Sequence, residues 1–188
     1  MALPIRLVSL LPMIAFVVSA CASLEPPPQA GLNPCPASGT RVIMTRGGEF
    51  TYQGRDPADP SICLVDNLRL FENFAPNPTP EQRTALRSLA PFEVGRQVSF
   101  TDARPDAAWR ETYRITDRRR MIFPAGIFDV WELEYTAEGT SGSSFLGRLV
   151  VYIDTRTGVA LARRTLQNNF LEATWPRDFE ALRVIYPN

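Results

Sequence analysis

Residues 128–136 read Phe-Asp-Val-Trp-Glu-Leu-Glu-Tyr-Thr, and apolar and polar side chains alternate along this stretch. Trp131, Leu133 and Tyr135 occupy one parity, whereas Glu132 and Glu134 occupy the other. Successive side chains of a β-strand point to opposite faces, so the alternation predicts a strand with one buried and one solvated face. A single solvated face is typical of antiparallel sheets.

The rest of the second half repeats this pattern, with turn signals between the segments. An antiparallel meander is therefore predicted to include residues 92–101, 109–116, 145–154 and 159–166. The glycine of the Asp-Thr-Arg-Thr-Gly loop comes late, where a hairpin often needs a positive φ. The β-favouring end Val-Ile-Tyr predicts a last strand over residues 179–186, with a helix as the alternative.

The first half predicts three more strands, separated by a turn and a loop. The strands are expected at residues 40–45, 49–53 and 62–65, with the turn at 46–48 and the loop at 54–61.

One helix is predicted between residues 75 and 91. Thr79 and Gln82 form a Thr-x-x-Gln capping box, and Pro80 suits the first helical position. The helix is expected to run from Pro80 to about Leu89 and to place a narrow apolar stripe against the sheet. The expected fold class is mainly β (α+β), a single curved antiparallel sheet with one short helix packed on it.

The N-terminus has the regions of an export signal. Arg6 precedes an apolar run from residue 7 to residue 18, which is shorter than the about 20 residues that a transmembrane helix needs. The run ends in Val18-Ser19-Ala20-Cys21, which resembles the lipobox of bacterial lipoproteins. The resemblance implies a signal peptide over residues 1–20 and a lipid anchor on Cys21, with fatty acyl groups such as palmitate.

Two further points concern the anchor. Ala22 stands where inner-membrane lipoproteins commonly carry aspartate, so the resemblance implies the outer membrane, facing the periplasm. The alternative is ordinary secretion, because Ala20-Cys21-Ala22 also fits the small-x-small rule and cleavage after Ala22 would discard the cysteine.

The three cysteines fit the same scheme. With Cys21 carrying the lipid, Cys35 and Cys63 are expected to form a disulfide in an oxidising compartment. A redox-active pair is the alternative, although that function usually needs a Cys-x-x-Cys spacing. The proline-rich residues 21–36 predict a tether, and residues 37–188 predict a single β-rich periplasmic domain.

Composition excludes several functional classes. The formal net charge is zero, so no general attraction to nucleic acid is expected. The chain has no histidine and no lysine, which removes the base of Ser-His-Asp, Cys-His and Ser-Lys systems and the ligands of histidine-bound metals. No catalytic residue, metal or cofactor is assigned.

Carboxylates could still provide acid–base chemistry. Glu132 and Glu134, with Asp129 and Glu138 nearby, could supply the two acids of a glycan hydrolase. The simpler interpretation is that these side chains face water.

Two groups of side chains are candidates for binding. The inner face of the sheet could form a lipid-binding or acyl-chain-binding surface, with possible contacts at Trp109, Tyr113, Trp131 and Phe145. Arg118, Arg119 and Arg120 could bind anions such as the phosphates of lipid headgroups, although a charge cluster between two strands is usually solvated.

A second resemblance covers residues 109–166. Residues 123–131, Phe-Pro-Ala-Gly-Ile-Phe-Asp-Val-Trp, and 151–158, Val-Tyr-Ile-Asp-Thr-Arg-Thr-Gly, resemble a pattern of uncharacterised exported antiparallel-sheet domains. Their sheet is similar to the curved sheet of lipoprotein carriers, a likeness of fold that transfers no function.

The leading hypothesis is a non-enzymatic envelope lipoprotein that binds or docks an envelope protein or lipid. An acyl-chain binding protein and a glycan hydrolase are the alternatives.

Overall fold

The computed structural model describes residues 32–66, 68–71, 75–76, 79–103, 108–140, 144–169 and 178–188, with residues 68–71 and 75–76 by their backbone. Across these ranges the chain forms eleven β-strands and one helix, α1, Pro80–Arg87. The strands are β1 Arg41–Met44, β2 Glu49–Asp56, β3 Asp59–Val65, β4 Leu68–Phe71, β5 Ala75–Pro76, β6 Gln97–Ala103, β7 Ala108–Phe123, β8 Gly126–Gly139, β9 Leu146–Asp154, β10 Ala160–Asn168 and β11 Phe179–Ile185. The predicted mainly β class is confirmed.

All strands belong to one antiparallel sheet, ordered β5-β4-β3-β2-β1-β11-β10-β9-β8-β7-β6. Two meanders thus meet where the first and last strands pair, with Arg41 opposite Ile185 and Val42 opposite Val184. α1 lies in the connection between β5 and β6, the two edge strands of the described sheet. The chain therefore crosses from one edge to the other through α1.

Two apolar clusters lie on opposite faces of the sheet. On β9, Leu149, Val151 and Ile153 belong to one cluster, whereas Val150 and Tyr152 belong to the other, as strand alternation requires. The first cluster includes Leu86 of α1 and Leu89, which follows α1. We call this face of the sheet the helix face. We call the opposite side the hairpin face.

The hairpin face is covered by the end of the β7–β8 hairpin. β8 pairs with β9 only from Val130 onward, so the hairpin extends past the end of β9. We call residues 117–130 the hairpin tip. The Phe123 ring lies 6.0 Å from the Tyr152 ring, and the Ala125 amide donates to the Ala181 carbonyl at 3.1 Å. The tip therefore folds across this face as far as β11.

The capping box at α1 is confirmed. The Gln82 amide donates to Thr79 Oγ1 at 3.2 Å, and the Thr79 amide donates to Gln82 Oε1 at 2.9 Å. With eight residues α1 cannot cross a membrane, and within the described ranges no helix is long and apolar enough to do so.

Three predicted boundaries are wrong. The loop expected at residues 54–61 is a two-residue turn, because Asp56 and Asp59 accept hydrogen bonds from the amides of Ala58 and Ser61 while the strands continue. β6 begins at Gln97 instead of residue 92, because the residues before it form a turn in which the Arg96 amide donates to the Glu93 carbonyl at 3.0 Å. β7 runs on through the three arginines to Phe123. The short strands β4 and β5 were not predicted.

Candidate functional site where the chain enters the sheet

A disulfide joins the residues before β1 to the body of the sheet. Cys35 and Cys63 are bonded, with their Cα atoms 6.0 Å apart, and Cys63 lies fully buried in β3. This is the pairing expected from the cysteine count. Cys21, the predicted signal peptide and most of the predicted tether lie outside the described residues.

Asn33 is also fixed to the domain. Its side-chain Oδ1 accepts a hydrogen bond from the Phe92 amide at 2.8 Å, and its carbonyl accepts one from the Arg55 guanidinium. The residue is buried. Residues 33–36 are therefore part of the packed domain.

Pro34 contacts the turn between β9 and β10. The Pro34 carbonyl lies directly against Gly158, whose φ of +76° is the left-handed conformation that glycine tolerates. In the same turn, the Thr155 amide donates to the Asp129 carbonyl in the hairpin tip at 2.9 Å. Residues 33–36, the β9–β10 turn and the hairpin tip thus meet at one end of the sheet, which we call the entrance end.

The outer surface of the hairpin tip carries an exposed apolar pair. Ile122 and Ile127 lie directly opposite each other, two residues from the turn on either strand. They are 78% and 65% exposed, more than any other large apolar side chain in the described ranges.

The three arginines of this hairpin have different contacts. Arg120 Nε binds Asp129 at 3.0 Å, and this hydrogen bond lowers the pKa of the Asp129 carboxyl. The Arg118 guanidinium lies 5.0 Å from the centre of the Trp131 ring, a cation–π geometry. Arg119 instead binds Glu132. The predicted anion-binding cluster is therefore divided between the two surfaces of the hairpin.

The aromatic residues proposed as a ligand face form two groups. The Trp109 and Phe145 rings lie 6.4 Å apart, near one end of β7. Trp131 packs instead against Phe92, at 6.3 Å. Tyr113 is buried in the helix-face cluster.

The helix face beneath α1 is filled by the protein's own side chains. Leu86 and Leu89 are fully buried against Ile115 and Leu133, which are also fully buried. An acyl chain could enter this part of the face only if α1 moved.

Glu111 is a buried carboxylate on the helix face that the sequence analysis did not single out. Glu111 accepts hydrogen bonds from the Trp109 indole at 3.1 Å and from the Tyr113 hydroxyl at 3.2 Å. Burial and the adjacent Glu111 carboxylate raise the pKa of Tyr113 well above its ordinary value. Alternate residues of a strand share one face, and Glu111 alternates with apolar side chains at Trp109, Tyr113 and Ile115. This spacing could have placed the glutamate on the apolar face.

Ion pairs with arginine hold three acidic residues of β8, Asp129, Glu132 and Glu134. Glu132 binds Arg119, and Glu134 binds Arg148 at 3.0 Å, both on a partly exposed surface. Asp129 lies on the outer surface of the tip, and Glu138 is exposed. Within the described ranges, no three acidic or cysteine side chains are grouped so that they could hold a metal.

One polar cavity lies away from the entrance end. It has a volume of about 210 Å³, is lined by residues that include Arg46, Arg163 and Asp178, and is smaller than most ligand sites. Burial lowers the pKa of Arg163, whose guanidinium lies 5.4 Å from the Phe179 ring.

Comparison with known proteins gives one structural likeness. No family model and no curated protein matches the sequence. A crystal structure of a candidate lipoprotein from Parabacteroides distasonis superposes with a TM-score of 0.39 and 10% identity, over 81% of this chain and 97% of that one. A TM-score this low does not establish a shared fold, so no property of that protein is carried over.

Proposed function

We propose that this chain is a non-enzymatic lipoprotein of the bacterial cell envelope, attached by acylated Cys21, whose sheet domain binds or docks an envelope component. The observation that best supports this proposal is the fixed attachment of the residues that follow the tether. The Cys35–Cys63 disulfide and the buried Asn33 hold this segment against the sheet. An anchor at Cys21 would thus hold the domain by one defined end.

The tether sets how far the domain stands from the membrane. Residues 22–32 separate Cys21 from Asn33, and in a fully polyproline conformation they would span roughly 35 Å. A docking domain on such a tether searches a layer close to the membrane surface. The residue after the cysteine, Ala22, favours the outer membrane, with the domain facing the periplasm.

The proposal of a non-enzymatic role rests on chemistry. The chain has no histidine and no lysine, and Glu132 and Glu134 on β8 are held in ion pairs with arginine. A general acid needs a raised pKa, whereas Arg120 lowers that of Asp129. These observations favour a binding module over a glycan hydrolase.

An acyl-chain binding protein is the second candidate. The filled helix face beneath α1 does not favour it, because a bound chain would have to displace Leu86 and Leu89. The partly buried Trp109 and Phe145, which lie beyond the cluster around α1, are where such a ligand would first contact the sheet.

Crosslinking in intact cells tests the docking role. The wild-type protein is compared with a secreted form in which an ordinary export signal replaces residues 1–22. We expect the wild-type protein to crosslink reproducibly to one envelope protein or lipid, and the secreted form to lose most of that product. Equal products from both forms would contradict a role that depends on the anchor, and turnover of an envelope polymer by the purified protein would contradict the non-enzymatic assignment.

A further inference from the structure

We infer that the hairpin tip is a second membrane contact, which inserts Ile122 and Ile127 into an anionic phospholipid surface while Arg118 and Arg120 bind the lipid phosphates. This inference rests on the proposed function, because the acyl anchor is what keeps the tip at the membrane. It assigns a binding surface and its ligand class to the entrance end of the domain.

The two isoleucines are exposed on a well-packed element. On the inner surface of the same hairpin, Phe123 is buried against Tyr152, and the Ala125 amide is bonded to the carbonyl of Ala181. The inner side chains thus hold the tip in place, and the outer pair adds nothing to the core. The two isoleucines form an adjacent, exposed apolar pair held at a fixed turn, and this pair is the apolar part of the proposed contact.

The order of side chains along the outer surface matches a membrane interface. The apolar pair lies at the turn, Arg120 lies next to it beside Asp129, and Arg118 follows on the Trp131 ring. In peripheral membrane proteins apolar side chains enter the boundary between the headgroups and the acyl chains, while arginine stays at the headgroup level. The Arg120–Asp129 ion pair is solvent-exposed and therefore weak enough for a phosphate to compete with it.

The position of the tip relative to the tether favours a membrane over a soluble protein partner. The Thr155 amide binds the Asp129 carbonyl, and the same β9–β10 turn receives Pro34 through Gly158. The tether therefore leaves the domain beside the hairpin tip. With at most roughly 35 Å of chain to Cys21, the acyl groups and the isoleucines can reach the same bilayer.

Depth-dependent quenching tests this contact in the complete lipidated protein. Ile122→Cys and Leu166→Cys variants are labelled with a fluorophore and reconstituted into vesicles of phosphatidylethanolamine and phosphatidylglycerol that contain a nitroxide lipid. Leu166 is the matched control, because it is apolar, 54% exposed and lies on β10 six residues beyond Ala160. That spacing places it about 20 Å from the entrance end.

We expect quenching at position 122 to exceed that at position 166 at least about threefold, as a side chain within the outer 5–10 Å of the bilayer would give. Adding Arg118→Gln and Arg120→Gln should lower the quenching at position 122, as should raising the salt concentration. Equal quenching at the two positions, or none at position 122, would overturn the inference and leave a protein as the partner of the isoleucine pair.

Flotation of the same samples separates this inference from the proposed function. If the protein floats with the vesicles but position 122 is quenched no more than position 166, the membrane contact is overturned and the lipid anchor stands. A mature protein that neither floats nor carries lipid would overturn the anchor itself.

Discussion

Gly158 and Pro34 are in contact where the chain enters the sheet: a Cβ atom added to Gly158 would lie 2.0 Å from the Pro34 carbonyl oxygen. The β9–β10 turn thus has no room for a side chain, and the residues before β1 are held between this turn and the Cys35–Cys63 disulfide. Residues 33–36 are therefore fixed to the domain at two places.

Gly158→Ala should therefore destabilise the domain. We expect a loss of about 2–4 kcal/mol in the free energy of unfolding, from the positive φ together with displacement of Pro34. Urea unfolding measures it. Gly47→Ala is the matched control, because Gly47 also has a positive φ but no atom within 4 Å of an added Cβ. Equal losses in the two variants would contradict the packing of Pro34 against the turn.

The disulfide should stabilise the domain by closing a loop between residues 28 positions apart. We expect the Cys35→Ser/Cys63→Ser double variant to lose roughly 3 to 4 kcal/mol of unfolding free energy. Reductant should have the same effect on the wild-type protein and none on the double variant. A wild-type protein whose stability does not respond to reductant, after peptide mapping has shown the bond to be broken, would refute this role.

Asp59 should couple α1 to the sheet in a pH-dependent way. Its Oδ2 atom accepts from Arg87 Nη2 at 2.6 Å and from Arg83 Nη1 at 3.2 Å. Burial opposes ionisation, but hydrogen bonds from Ser61 and Arg87 outweigh it and lower the pKa of Asp59 below 3.8. The stabilisation is therefore complete above about pH 4 and is lost as the pH falls through the folded-state pKa.

We expect Asp59→Asn to cost about 1–3 kcal/mol at pH 7 and less at pH 3, as measured by urea unfolding at both pH values. Asp117→Asn is the control, because Asp117 forms a half-exposed ion pair with Arg119 at 3.6 Å. If Asp59→Asn lowers the free energy of unfolding equally at both pH values, the charge of Asp59 is not what stabilises α1.

Tyr52 should make the domain sensitive to alkali. Its buried hydroxyl oxygen accepts the Ala160 amide at 3.1 Å, and burial raises the pKa of this phenol above its ordinary value of 10.0. The neutral form is thus favoured in the folded state, so stability is complete below about pH 10 and falls as the pH rises above it.

Tyr52→Phe should cost about 1–2 kcal/mol at pH 7, because the Ala160 amide loses its acceptor. Above pH 10 the variant should lose stability less steeply than the wild-type protein, by about 1.4 kcal/mol per pH unit. Thermal and urea unfolding between pH 8 and 11 measure both effects. Parallel pH profiles would exclude Tyr52 as the group responsible.

Local patterns predicted much of the fold. Strand β8, the capping box at Thr79 and the turn before β10 depend on residues close in sequence, and each appears in the structure. The expectation of one solvated face is wrong, because a second apolar cluster that includes Val130 lies on the opposite face of the sheet. The pairing of β1 with β11 could not be predicted in this way, because Val42 and Val184 lie at opposite ends of the domain sequence. Nor could the fold of the hairpin tip, which depends on its distant contact with Ala181.

The site could be predicted only in part. The Cys35–Cys63 pair followed from counting cysteines, whereas the contact of Pro34 with Gly158 is purely tertiary. A turn centred on Pro124 and Ala125 would have placed Ile122 opposite Ile127. The prediction instead ended β7 before the arginines, and so the exposed pair was missed.

The mass of the mature N-terminal peptide, purified from the bacterial membrane, tests the central claim most directly. A lipid-anchored protein predicts a peptide that begins at Cys21 and carries diacylglycerol on its sulfur. An unmodified peptide that begins at Ser23 would contradict the anchor and, with it, the position of the entrance end at a membrane.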